Sequence, residues 1–443
     1  MQFLCPVLSP ESNRGMILKA IVIGAGLGGM LSAAKLARNG YDVEVFERLP
    51  VIGGRFTNID HKGFKLTTGA LHMIPHGPSG PLAQILKDVG AEVKIVRSRP
   101  MSVIRMPADK NSEDYKDGYV DMPFNHFTKP FSTINRIKIA FYTTATKIFP
   151  PKGGSFQEWF SKHIHEDWTY RIADSFCGWS LSLRSSDLPV KEAFEIFSNL
   201  YRYSGSGVPI GGCEAVIRAL EDVIVSSGGK IHTDREVSEI ITENGNATGI
   251  ICDENPYPAD IVISNLGHRE TAGICPELRN KDNYKEYLDS VEKIVPSAGV
   301  KICLGADEPL IGHGGVLLTP YARRVNGINE VTNIDPGLAP PGKHLIMAHQ
   351  CIPRDRIDHL EEEIELGLKD LEDIFAGKNY EVLMVQSYHN GWPVNRAGSG
   401  QDIGNTTPIE NLFVVGDGAK GHGGIEVEGI ALGVSGTIKK IIH

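Results

Sequence analysis

Residues 21–55 read IVIGAGLGGMLSAAKLARNGYDVEVFERLPVIGGR, and the fold turns on what the glycines in this stretch are for. The apolar run ending at Ile23 has the composition of a buried parallel strand. Gly24, Gly26 and Gly29 then form a G-x-G-x-x-G pattern, with Leu27 and Gly28 between them, where the run gives way to small residues. In such a pattern the first glycine permits a tight turn. The second lets backbone approach a pyrophosphate, and the third lets the following helix pack close to the strand. That helix stops at Asn39-Gly40, a good C-terminal cap. Its N-terminus directs N–H groups and the positive end of its dipole at a phosphate. A second strand, YDVEVFE, ends in Glu47, 18 residues beyond Gly29. A carboxylate there takes the hydroxyls of an adenosine ribose and repels the 2′-phosphate of NADP. Strand, glycines, helix and acid in this order argue against a chance glycine-rich turn, and leave NAD and FAD open.

The continuation ERLPVIGGR separates the two. Arg48 follows the acid, and Gly53-Gly54-Arg55 stands where a simple NAD domain runs on into its next helix. Two glycines let the chain fold back over a diphosphate, and Arg55 brings a fixed cation to it. The run of glycine pattern, Glu47-Arg48 and Gly53-Gly54-Arg55 closely resembles the flavoprotein superfamily that contains amine oxidases, protoporphyrinogen oxidases and phytoene desaturases. It looks most like the phytoene desaturase-like members. The resemblance implies FAD, held in an α/β fold: a discontinuous Rossmann-like FAD-binding domain with an inserted α+β substrate domain. The far end carries a second match, NLFVVGDGAKGHGGIEVEGIALGVSGTIKKII. There the resemblance puts Gly416 and Asp417 on the ribityl chain or diphosphate, and Val427, opening the last helix, against the pyrimidine end of the flavin. It also places Ala70 and Leu71 on the cofactor, and the Val237 backbone at the adenine.

Between the ends, CEAVIRALEDVIVSSGG has apolar residues at helical spacing and a Gly-Gly stop. KIHTDREVSEIITENGNATGIICD reads as strands joined at Asn-Gly-Asn, and ADIVISNLG as another buried strand. The resulting division is an N-terminal extension at 1–15, an FAD-binding domain from 16–75, 205–270 and 400–443, and a substrate domain from 76–204 and 271–399.

Composition bounds the partners. A net charge of −9 over 443 residues argues against a nucleic-acid binder, which needs a basic face. The seven cysteines (5, 177, 213, 252, 275, 303 and 351) form no C-x-x-C pair and no zinc spacing, and read as reduced thiols in a cytosol. No metal site is expected. No run approaches the ~20 apolar residues of a membrane span, and the first fifteen residues lack the pattern of a signal peptide.

The substrate segments say less. Residues 123–154 set Lys129, Arg136, Lys138, Lys147 and Lys152 among Phe124, Phe127, Phe131, Phe141, Tyr142 and Phe149, with no acid among the basic residues. Such a segment suits an anionic membrane surface and the entrance for an apolar substrate; an ordinary amphipathic helix with solvated lysines reads equally from it. Trp392-Pro393 marks the return to the flavin, lining the pocket or filling the domain seam. Lys301, in VPSAGVKICLGAD, resembles the amine-oxidase lysine that holds a water at flavin N5; a surface lysine at a strand end is the plain alternative. Glu426 stands where amine oxidases place an aromatic residue of the substrate cage, which weighs against amine oxidation. Lys301 and Glu426 are the candidate catalytic residues. His72, His76 and His268 have no partner motif. The expected function is FAD-dependent hydride transfer between flavin N5 and a carbon of a mainly apolar, isoprenoid-like substrate. The alternatives are an amine oxidase or another oxygen-dependent oxidase, a non-redox isomerase that needs reduced flavin, and a non-enzymatic prenyl-chain carrier of the GDP-dissociation-inhibitor kind.

Overall fold

Ala20 and Val22 face one core of the molecule while Ile21 and Ile23 face another, all four at most 3% exposed. This is the period-2 alternation of a strand buried on both faces, which is why the sequence reads as one continuous apolar run. The computed structural model describes residues 17–109, 115, 118–126, 132–149, 151, 153–164, 168–390, 398 and 400–442. The N-terminal extension, Lys129, Lys152, Phe127, Phe131 and Trp392-Pro393 lie outside them.

Five parallel strands form the first sheet: β1 (Lys19–Ile23), β2 (Asp42–Phe46), β3 (Lys230–His232), β4 (Ile261–Ser264) and β5 (Leu412–Val414), in the order β5-β4-β1-β2-β3. From β1 the chain lays β2 and β3 on one side, then returns to place β4 and β5 on the other. The reversal opens a crevice at the carboxyl ends of β1 and β4, where ligands of open α/β sheets bind. On one face pack helices α1 (Leu27–Arg38), α2 (Pro81–Val89), α3 (Cys213–Ser226) and α4 (Val427–Ile442). Leu82, Ile85, Leu86 and Val89 of α2 join this core, although the sequence division puts 76–204 with the substrate part. On the other face lies a three-stranded sheet, Val237–Glu243, Asn246–Cys252 and Asn255–Pro258. Its first hairpin turns at Asn244 and Gly245, with φ of 54° and 78°, the left-handed pair that a two-residue turn requires.

Above the crevice stands a seven-stranded mixed sheet, ordered 380–388, 298–306, 344–352, 327–330, 316–318, 102–107 and 119–123. The Ala298–Ala306 strand is buried along its whole length between two antiparallel neighbours. Helices Phe156–His163, Trp168–Leu181 and Val190–Tyr203 build a separate apolar cluster beside it. Among the described residues no helix is long and apolar enough to cross a membrane.

Candidate active site

The glycine loops are shaped by what a side chain would strike. A Cβ on Gly29 would stand 2.1 Å from Gly24 O, so only glycine lets α1 start this close to β1. A Cβ on Gly26 would meet Asn265 Nδ2 at 2.5 Å, and one on Gly28 would meet the Gly416 backbone at 2.7 Å. Three loops, after β1, β4 and β5, therefore meet backbone to backbone around Asn265. Gly53 N–H donates to Ala25 O at 2.8 Å, and with φ of 101° and 57° Gly53 and Gly54 fold back onto the first loop. These residues border a cleft of about 750 Å³, large for a small-molecule site.

Arg55, next in line, donates to Asp417 Oδ2 at 2.8 Å, with both side chains only 15% exposed. This ion pair joins the two motifs at opposite ends of the chain across the floor of the cleft. The Arg55 guanidinium also lies 5.1 Å from the centre of the Tyr388 ring. At the end of β2, Glu47 is 7% exposed and accepts N–H bonds from Ala25 at 2.8 Å and Leu49 at 2.9 Å. A ribose would share this carboxylate with the loop that the carboxylate itself holds. Glu47, Arg48 and Val237 line the cleft, as do Gly24, Gly26, Leu27 and Gly28. Gly29 and Gly416 stand just behind, as packing points of its wall. Glycines that leave room for a diphosphate, a fixed cation and a buried carboxylate on one cleft fit FAD.

The far wall consists of Thr68–Leu71, Met73 and Pro75 on one side and Trp179, Gln386 and Ile425–Val427 on the others. Glu426 lines it with φ of 49°, a left-handed conformation that is uncommon for a non-glycine residue. Lys301 is not on the cleft surface. It lies mid-strand, 1% exposed, and its ammonium donates to Thr67 O and to Gly69 O, the latter at 2.7 Å; the surface-lysine alternative is thereby set aside. Burial holds its pKa below the usual lysine value. No residue of 123–152 lines the cleft among those described; Phe124 stacks on Phe176, one turn before Trp179 of the cleft wall, so the expected entrance at this segment is not seen on the cleft surface.

The second residue of α4, Glu428, is 0% exposed and accepts N–H bonds from His76 at 3.0 Å and Leu82 at 2.9 Å. It thus caps the N-terminus of α2 from another element. Burial pushes its pKa up to about 7, opposed by the two N–H donors. His72 donates to Lys65 O at 2.8 Å and accepts from Cys213 N–H at 3.1 Å, and burial lowers its pKa to about 4. His268 lies between Tyr287 and Gly404 O. Both rings are committed to holding the fold.

Sequence reasoning missed Asn265, Trp179, Gln386 and Glu428. Asn265 had a signal: it directly follows a buried strand, and a residue there enters the crevice if that strand adjoins β1.

The model of a family described as flavin containing amine oxidoreductase matches residues 27–431. The crystal structure of an oxidoreductase from Methanosarcina mazei is 57% identical, covers 95% of this chain and 100% of its own, and superposes with a TM-score of 0.93. A protein of Methanocaldococcus jannaschii is 43% identical over 95% of this chain and 98% of its own length. A neurosporene-forming phytoene desaturase of Rhodobacter capsulatus is 27% identical over 62% of this chain and 57% of its own length.

Proposed function

The chain belongs to the flavin-containing amine oxidoreductase family, and from that premise we propose that it holds FAD in the cleft and moves a hydride between flavin N5 and a carbon of a mainly apolar, isoprenoid-like substrate. The observation that carries the reading is the Arg55–Asp417 pair, which closes two glycine loops over one channel. Glu47 takes the adenosine ribose, the Gly26, Gly28 and Gly416 backbones leave room for the diphosphate, and Val427 opens the helix whose N-terminus faces the pyrimidine. Bound FAD supplies the two-electron chemistry. The chain supplies orientation and an apolar wall: Leu71, Met73, Pro75, Trp179 and Ile425 line the cleft, and His72 and His268 are spent on structure. Such a wall binds a long hydrocarbon through burial, at roughly 25 cal/mol per Å². The phytoene desaturase relative supports this substrate class.

The test is direct. Apo-protein reconstituted with FAD is expected to turn yellow and to release FAD, identified by mass. Incubated with polyene or prenyl substrates and an artificial electron carrier, it should change the flavin absorbance. Incubated with amines in air it should form no peroxide. Peroxide from amines would favour the amine-oxidase reading, and retention of a nicotinamide instead would end both.

An anionic lipid surface is the proposed source of the substrate. On the Thr133–Ile148 helix, Ile134, Ile137 and Phe141 are 67%, 64% and 64% exposed and lie on one face, with Arg136 and Lys138 beside them. Basic residues near such a surface contribute about 1 kcal/mol each. Arg136→Glu with Lys138→Glu is therefore expected to cut co-sedimentation with phosphatidylserine vesicles about tenfold or more at low salt. Unchanged pelleting, or none by the native protein, would remove the membrane from the reading.

A further inference from the structure

Three consecutive carbonyls at the cleft wall are held by two side chains. Lys301 takes Thr67 O and Gly69 O, and Gln386 Nε2 takes Thr68 O at 2.9 Å. Lys301 and Gln386 face each other across adjacent strands of the upper sheet, so one rigid cross-strand row grips the whole segment. A trans peptide sets its N–H opposite its C=O. Each carbonyl fixed toward Lys301 and Gln386 therefore turns its own N–H the other way. The Thr68 N–H is used by Thr57 O at 2.9 Å and the Gly69 N–H by Thr67 Oγ1 at 3.1 Å. The Ala70 N–H, partner of the Gly69 carbonyl on Lys301, has no acceptor among the described residues, and Ala70 lines the cleft. Gly69 packs directly on the Arg55 carbonyl: a Cβ there would stand 2.1 Å from Arg55 O, so only glycine fits.

We propose that Lys301 and Gln386 are positioning residues, which aim the Ala70 N–H into the cleft as the hydrogen-bond donor to flavin N5. The inference rests on the FAD reading. It gives Lys301 a role other than holding a water at the ring: a cation hydrogen-bonded to the carbonyl of a peptide withdraws density from it and strengthens the N–H on its far side, as in hydrogen-bond chains. The donor is preorganised, because it sits on backbone that three side-chain bonds already hold.

The test replaces Ala70 by lactic acid, which deletes the N–H and leaves shape and side chain. Lys301→Met is the companion variant. Each protein is titrated with FAD and with 5-deaza-FAD, in which C–H replaces the N5 acceptor, and apo-protein melting is recorded. The ester protein should bind FAD about 3- to 15-fold more weakly, the worth of one hydrogen bond, with 5-deaza-FAD affinity within about twofold of the native value; apo melting should fall slightly, because the ester carbonyl of Gly69 accepts more weakly from Lys301. Lys301→Met should show the same selective loss. Equal weakening of both cofactors would assign Lys301 and Gln386 to wall structure alone, and an ester protein with native FAD affinity would overturn the donor; either result ends the proposal. If Lys301→Met does not fold, the ester protein decides. Failure of the native chain to bind FAD at all would instead end the cofactor reading, an outcome distinct from both.

Discussion

Replacing Glu47 by alanine is expected to raise the dissociation constant for FAD by roughly 10- to 150-fold, the worth of a charge-assisted hydrogen bond of about 1.5–3 kcal/mol. Glu47 is buried at the carboxyl end of β2 and accepts the N–H groups of Ala25 and Leu49. Its loss therefore removes the proposed ribose acceptor and also leaves the Ala25 N–H, in the first glycine loop, without its acceptor. The two effects separate by ligand. FMN lacks the adenosine, so its binding senses the loop but not the ribose. Fluorescence titration of the variant should show a large loss for FAD and a small one for FMN. Equal losses would mean that Glu47 shapes the loop and does not bind ribose.

The second large effect concerns Glu428. Its carboxylate satisfies the N–H groups of His76 and Leu82 from a fully buried position. Glu428→Ala leaves two donors unpaired, each costing about 1–3 kcal/mol, so unfolding free energy should fall by roughly 2–6 kcal/mol in a denaturant titration. Glu428 should also impose a pH dependence. Its ordinary value is 4.5 and burial raises it to about 7 in the folded chain. The folded state therefore binds the proton more tightly. The stability this contributes is complete below about pH 4.5 and is lost as pH rises through about 7, about 3 kcal/mol in all. Relative to Glu428→Gln, the native protein should lose stability between pH 5 and pH 8. Parallel pH profiles for the two would show that Glu428 does not titrate in that window.

What could be read from sequence was what is local in sequence. The β1-α1-β2 unit and its three glycines lie within a short window; Gly29 answers to a neighbour in that window, Gly24 O, whereas Gly26 is set by Asn265 at the end of a distant strand. The Asn-Gly turn at 244–245 was readable for the same reason. Asn265 was not, because its importance depends on β4 lying beside β1, and strand order is absent from any local pattern. Lys301 drew notice for its position, but its acceptors are backbone carbonyls over 230 residues away, which no side-chain motif announces. Glu426 was noticed and Glu428 passed over; what distinguishes them is the packing of α2 on α4, a tertiary fact.

The strand order has a consequence for how the protein is made. Ala20 of β1 pairs with Ile261, and β4 in turn pairs with Leu412 of β5. At the usual 5–20 residues per second, the ribosome needs roughly 20–80 s to deliver β5 after β1 has emerged. β4 itself emerges after roughly 12–48 s, and until then β1 can gain β2 alone while its other edge stays open to chaperones or to aggregation. Arg55 likewise waits for Asp417. Cofactor capture is then among the last events of biogenesis, and it reports on chain completion: a nascent chain stalled before the final strand has the phosphate loop but not the lock that closes it.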